Sequence, residues 1–131
     1  MQLLIDTHVL IWFLEGNNLL SASCRQIIVS PANKLFVSIA SIWEIAIKIS
    51  VGKLILAKPL ADVIKQIAAE NIEILAISPE HALQVSTLPF HHRDPFDRII
   101  ISQAIIENID FISADAIFDD YLKGLPIKRI W

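Results

Sequence analysis

The sequence predicts an α/β fold with a mainly parallel central sheet, and three observations support this prediction. Short apolar runs of strand character alternate with longer segments whose apolar residues recur at helical spacing. No repeat or Gly-, Ser- or Pro-rich linker divides the 131 residues, a length typical of one domain with one core. Hydrophobic residues make up 54% of the chain and charged residues only 19%, which suits a packed interior. We therefore expect a single domain over residues 1–131 in which helices cover parallel strands.

The first half of the chain begins with a short buried strand at 2–5, followed at once by a helix to about Glu15. The turn formers at 16–18 end that helix, and a second helix is predicted from Ser21 to about Ser30. A second strand and a third helix, whose apolar residues recur every three or four positions, are predicted at 34–38 and from Ile39 to near Gly52.

The second half alternates in the same way. Ser78-Pro79 is a favourable helix start, with an N-cap candidate followed by proline in the first turn. The predicted helices are 60–71, 78–88, 96–108 and 115–123, and the predicted strands are 73–77, 110–113 and 127–131. A polar loop, PFHHRDP at 89–95, precedes the most apolar helix.

Four acidic residues lie near predicted strand ends or helix starts. Asp6 follows the first strand, Glu44 lies in the helix after the second, and Asp115 follows the fourth; Asp97 is in the first turn of the helix at 96–108. Ligands of parallel sheets gather beyond the carboxyl ends of the strands, so we expect these carboxylates to converge there. Clustered carboxylates raise one another's pKa unless a cation neutralises them. Oxygen donors without cysteine or paired histidines favour Mg²⁺ or Mn²⁺ over Zn²⁺.

Each acid also has a purely local interpretation. Asp6 and Asp115 can cap the helices that follow them. Glu44 can close a capping box with Ser41 or pair with Lys48 one turn later. In Asp94-Pro95-Phe96-Asp97, the first residue is a cap candidate and the last can reach back to it. Only the combination of the four indicates a site.

The remaining polar residues are weaker candidates. Thr7 and Ser113 can orient water or support the acids, although hydroxyls at strand ends commonly bond to local backbone. His91, His92 and Arg93 form a small basic patch suited to phosphate contact or to plain solvation.

One arginine and three aromatic residues also allow a prediction. Arg98 can neutralise an acid or contact substrate. Trp12, Trp43 and Phe36 lie in apolar patterns, so we expect them in the core rather than stacked on nucleic-acid bases.

Composition excludes some classes of protein. The single cysteine, Cys24, excludes an internal disulfide and a cysteine-rich zinc site, and it suits a reducing cytoplasm. Charged residues interrupt every apolar run well before the roughly 20 residues of a membrane span, and the start of the chain lacks signal-peptide features. The net charge of −3 argues against nucleic-acid binding only until bound divalent cations are counted. A mean hydropathy of +0.56 indicates apolar surface for an interface.

The whole chain resembles the PIN domains, specifically the VapC-like nuclease toxins of bacterial toxin–antitoxin pairs. Four blocks in the right order carry the resemblance. They are LLIDTHVLIW (3–12), VSIASIWEIAIKISVGKL (37–54), LPFHHRDPFDRIIISQA (88–104) and FISADAIFDDY (111–121). Asp6, Glu44, Asp97 and Asp115 match the four acidic positions of the family, the last of which is the more variable.

The resemblance implies a three-layer α/β/α sandwich with about five short strands and an RNA endonuclease activity. Asp6, Glu44 and Asp97 would hold one or two Mg²⁺ or Mn²⁺ ions, with Asp115 as a further ligand or a support. It also implies a cognate antitoxin partner and a homodimer.

Two alternatives remain from the residues. One is a catalytically silent PIN-like fold that acts as a binding or regulatory module. The other is an α/β phosphoryl-transfer enzyme of another family. A haloacid-dehalogenase-like phosphatase needs a second Asp two residues after the first, where this chain has His8, and a response-regulator receiver needs a phosphoacceptor Asp where it has Ile77-Ser78.

Overall fold

The computed structural model describes residues 1–131 and contains a five-stranded sheet and seven helices. The strands are β1 (Gln2–Ile5), β2 (Lys34–Ser38), β3 (Ile72–Leu75), β4 (Asp110–Ile112) and β5 (Arg129–Ile130). The helices are α1 (Thr7–Glu15), α2 (Ala22–Val29), α3 (Ile39–Ser50), α4 (Leu60–Ala69), α5 (Pro79–Thr87), α6 (Pro95–Glu107) and α7 (Phe118–Leu122).

The strand order is β3-β2-β1-β4-β5, and every neighbouring pair is parallel. Ile5 at the end of β1 lies opposite Val37 of β2 on one side and Ile112 of β4 on the other. The three central strands therefore end almost level, at one edge of the sheet. The predicted parallel sheet is confirmed.

Helices cover both faces of the sheet because side chains alternate along each strand. Leu3 and Ile5 of β1 pack in a cluster of 15 buried residues with α1, α2 and α4, while Leu4 joins a second cluster of 12 with α6 and α7. The predicted three-layer α/β/α sandwich is confirmed. None of the seven helices has both the length and the unbroken apolar run that crossing a membrane requires.

Side-chain caps begin five of the seven helices, and the predicted caps at α3 and α7 are wrong. The Asp6 and Asp94 side chains cap α1 and α6, as predicted. The predicted capping box of Ser41 and Glu44 is wrong: the Ser38 hydroxyl caps α3 by accepting the N–H of Ala40 at 2.9 Å. Ser41 therefore lies inside the helix, and its hydroxyl is available for a tertiary contact.

Several predicted boundaries shift by a few residues. Asn71, with φ of 58°, directly precedes β3, which spans 72–75 rather than 73–77. Asp115 does not begin α7, because its carboxylate accepts the N–H of Ile117 at 3.0 Å and holds a turn before Phe118. The last strand shortens to two residues.

Candidate functional site

The acidic residues lie near the topological switch point of the sheet, between β1 and β4. β1 is flanked by β2 and β4, so the connections after these strands run to opposite sides and leave a crevice at their carboxyl ends. Asp6 directly follows β1, and Glu44 lies in the second turn of the helix that follows β2. Asp115 follows β4 at a distance of three residues.

Asp6 is held in one orientation by two hydrogen bonds. The backbone N–H of Thr7 donates to Oδ1 at 2.8 Å, and the Ser113 hydroxyl donates to Oδ2 at 2.7 Å. The Ser113 contact follows from the register, since Asp6 and Ser113 each come one residue after the paired Ile5 and Ile112. Burial raises the pKa of the Asp6 carboxyl, and the two hydrogen bonds oppose that rise.

Glu44 is buried, with 3% of its surface exposed. The Lys48 ammonium donates to its Oε2 at 2.8 Å, which is the predicted pairing one helical turn apart. Its Oε1 is buried and has no hydrogen-bond partner. The hydrogen bond to Glu44 raises the pKa of Lys48, so the ammonium stays charged beside the acids.

Asp97 reports the convergence of the carboxylates most directly. Burial, followed by repulsion from Asp6, Asp94, Glu44 and Asp115, raises its pKa from 3.8 to about 7. The other three predicted acids therefore lie close enough to repel this carboxyl. Asp94 has a second task as a cap, because its Oδ1 accepts the N–H groups of Phe96 and Asp97 at 2.8 and 3.2 Å.

His92 is the member of the basic patch that reaches the acids. Its Nδ1 lies 4.0 Å from the Asp97 Oδ2. Its Nε2 lies 2.9 Å from the Asp115 Oδ2, within ion-pair distance but without the alignment of a hydrogen bond. Its backbone N–H donates to the Tyr121 hydroxyl at 2.7 Å, and its ring packs against Phe118. These contacts hold the imidazole between the two carboxylates.

Arg98 does not contact any of the acids. Its buried guanidinium donates to four backbone carbonyls, those of Val85, Leu88, Pro89 and His92, at 2.9–3.3 Å. Arg98 thus positions the loop that carries His92. Exposed Arg93 lines a separate cavity with Arg98 and Phe90, and its contact with substrate stays a prediction.

Ser41 and Tyr121 support the site but were not among the predicted residues. The Thr7 hydroxyl donates to the Ser41 Oγ at 2.8 Å and ties the first turn of α1 to α3. Spacing was a usable clue for Ser41, which lies three residues before Glu44 on the same helix face. Tyr121 binds a residue 29 positions away, and no local pattern indicates such a contact.

Comparison with known proteins places this architecture in a family. The family model described as "PIN domain" matches residues 3–123. The chain belongs to the PIN domain family. No curated protein matches this PIN domain significantly. The family match confirms the predicted resemblance to PIN domains. It therefore rules out the alternative of a haloacid-dehalogenase-like phosphatase or a response-regulator receiver.

Solved structures share the fold of this PIN domain. The match to a chain of the DNA-bound VapBC2 from Rickettsia felis covers 98% of this chain and 98% of that chain, with a TM-score of 0.70 and 16% identity. VapBC-1 from nontypeable Haemophilus influenzae gives 99% and 97% coverage, a TM-score of 0.66 and 18% identity. For DNA-bound VapBC from Salmonella typhimurium, the match covers 98% of this chain and 98% of that chain, with a TM-score of 0.67 and 12% identity.

The acids of this PIN domain fit a divalent cation in donor type and in charge. All are hard oxygen donors, the Glu44 Oε1 is buried without a partner, and burial together with repulsion from the other acids raises the pKa of Asp97. As the side chains stand, no three His, Cys, Asp or Glu residues form a group that could hold an ion. In place of an ion, the Lys48 ammonium lies beside Glu44 and the His92 imidazole lies beside Asp115. Side chains would therefore have to rotate for three carboxylates to contact one cation.

Proposed function

We propose that this PIN domain, over residues 1–131, is a metal-dependent endoribonuclease and the toxin of a toxin–antitoxin pair. The observation that carries the proposal is the placement of Asp6, Glu44 and Asp115 after β1, β2 and β4 at the switch point of the sheet, with Asp97 close enough to be repelled by all three. Burial and repulsion that together raise a carboxyl pKa to about 7 are common at functional sites. Membership of the PIN family supports a nuclease rather than another use of the same acids.

Asp6, Glu44 and Asp97 would hold Mg²⁺ or Mn²⁺, with Asp115 as a further ligand or a support. When bound, such ions supply positive charge for a phosphodiester and acidify water for its hydrolysis. The chain's own contribution is orientation. Ser113 and the backbone of Thr7 hold both oxygens of Asp6, and the His92 imidazole lies between Asp97 and Asp115.

Two protein partners belong to this proposal: a cognate antitoxin and a second copy of the chain, both in the cytoplasm. The fold is shared with chains of complexes described as VapBC. Large apolar side chains are also exposed, among them Ile55 at 91% and Leu83 at 71%. Apolar surface of this kind is common at protein–protein contacts.

The deciding experiment is an RNA cleavage assay with Mn²⁺ or Mg²⁺ against EDTA, in which wild type is compared with Asp6→Asn. We expect cleavage that needs the metal and disappears in the variant. Asn caps helices about as well as Asp, so the variant should keep its circular dichroism spectrum and its melting behaviour. Equal cleavage by both proteins would exclude the acidic site. Binding of metal and RNA without cleavage would favour the silent binding module.

A further inference from the structure

A cleft beside the acids carries aromatic side chains that the proposed hydrolysis does not use. Its volume is about 330 Å³, and the carboxylates of Asp6 and Asp115 form part of its lining. The full lining is Asp6, His8, Val9, Trp12, Ala114 and Asp115. The cleft is therefore continuous with the acidic site.

His8 and Trp12 line this cleft, and Trp131 packs against Trp12 next to it. We call these three rings the aromatic wall. His8 and Trp12 lie one turn apart on the same face of α1, with ring centroids 6.1 Å apart. Trp131 packs on Trp12 at 5.9 Å and is 43% exposed. His8 is exposed and Trp12 is half-buried, so the wall faces solvent along the cleft.

The placement of Trp12 differs from the sequence expectation. One side of its ring packs against the core cluster, as predicted, but the side chain also lines the cleft that contains Asp6. A core aromatic would be surrounded by apolar residues. Trp12 instead bridges the core and a site of opposite chemistry.

We propose that the aromatic wall stacks a base of single-stranded RNA next to the phosphate that the acids address. This inference rests on the proposed nuclease function. Aromatic rings bind unpaired bases through their flat faces regardless of sequence. A base is also the uncharged part of a nucleotide, so it can lie against Asp6 and Asp115 without adding to their repulsion.

The test uses a short single-stranded RNA that wild type cleaves in Mn²⁺, with His8→Ala and Trp131→Leu as variants. We expect each to raise KM about tenfold while kcat changes little, because stacking acts on bound substrate and transition state alike. Trp131→Phe should restore most of the affinity. The control is Leu83→Ala, which truncates an exposed apolar side chain on α5 outside the cleft and should leave KM unchanged.

A second measurement separates this inference from the nuclease function. In a Trp43→Phe background, Trp12 and Trp131 are the remaining tryptophans, and a decaadenylate should quench their fluorescence while an abasic decamer should not. Cleavage without this quenching and without KM changes would overturn the stacking site and leave the nuclease intact. Quenching without cleavage would support the site and overturn the nuclease. If the variants lost only the ability to bind a coexpressed antitoxin, the aromatic wall would be a protein-binding surface and the proposal would be overturned.

Discussion

Asp97 and Asp94 lie three residues apart, but their carboxylates have different surroundings. Asp97 is repelled by the other carboxylates, whereas Asp94 spends its Oδ1 on two backbone N–H groups. We expect Asp97→Asn to abolish cleavage and to raise the melting temperature in EDTA, because it removes one charge from the repelling group. Asp94→Ala should lower stability by about 1 kcal/mol as a lost cap. Thermal melts and cleavage assays on both variants check this division, and an equal loss of activity with unchanged melting would contradict it.

The raised pKa of Asp97 also predicts how stability depends on pH. In the unfolded chain the carboxyl has its ordinary pKa of 3.8, and in the folded protein the value is about 7. The folded state therefore binds the proton more tightly, and this contribution to stability is present below 3.8 and is lost as pH rises to about 7. Metal-free wild type should melt at a higher temperature at about pH 5 than at about pH 7.5. Asp97→Asn should flatten this difference, and an identical slope in the variant would contradict the assignment.

The hydrogen bond from Ser113 to Asp6 is predicted to matter for metal affinity rather than for folding. Removing a partner that orients a ligand typically weakens metal binding by about tenfold or more. We expect that loss in Ser113→Ala, measured by calorimetry with Mn²⁺. Ser86→Ala is the matched control, because Ser86 is exposed and bonds only to a carbonyl of its own helix. Equal affinities in the two variants would mean that Asp6 needs no support.

At the level of elements, the loop between α5 and α6 depends on one buried cation. Arg98 satisfies four carbonyls there, and its guanidinium lies 4.0 Å from the Phe90 ring centroid. Replacing it by Met leaves these carbonyls without a donor, which should cost about 2–4 kcal/mol in urea denaturation. Exposed Arg93→Met should change stability by less than about 0.5 kcal/mol. If both substitutions were equally mild, Arg98 would not hold the loop.

Elements were predicted well where local chemistry decides them. Turn formers, caps and apolar periodicity located all five strands and seven helices, with shifts of a few residues at their ends. Helix α3 starts at Ile39 as predicted, but its predicted capping box is wrong for a clear reason. Ser38 and Ser41 are both acceptable N-caps in sequence, and the choice between them depends on where β2 stops pairing with its neighbours.

At the level of the whole molecule, one face of α3 is largely exposed. The expected core placement of Trp43 is wrong, because its ring lies on this face and contacts Phe96 edge-to-face at 5.3 Å. Ile39, Trp43 and Ile47 recur every four residues on α3 and are 39%, 60% and 37% exposed. We expect the isolated protein to sediment as a dimer through this stripe and Ile47→Asp to shift it to monomer. Leu83→Asp on α5 is the control, because it places the same charge on an exposed residue elsewhere. A monomeric wild type at micromolar concentration would contradict the expected homodimer.

The sequence by itself determined the fold class, the parallel sheet and the four acids near its edge. These features depend on short-range patterns: period two in strands, period 3.6 in helices, and polar residues next to strand ends. Family resemblance placed the acids in order. The strand order puts β1 between β2 and β4, so Asp6, Glu44 and Asp115 follow neighbouring strands at one edge of the sheet.

The tertiary structure decided the directions and partners of individual side chains. It turned Arg98 toward carbonyls, set His92 between Asp97 and Asp115, and opened Trp12 to the cleft. The physical reason is distance along the chain: Asp6 and Ser113 are 107 positions apart and meet only through the register of two strands. A local pattern carries no information about such a contact, since a register shift of one residue would point these side chains to opposite faces.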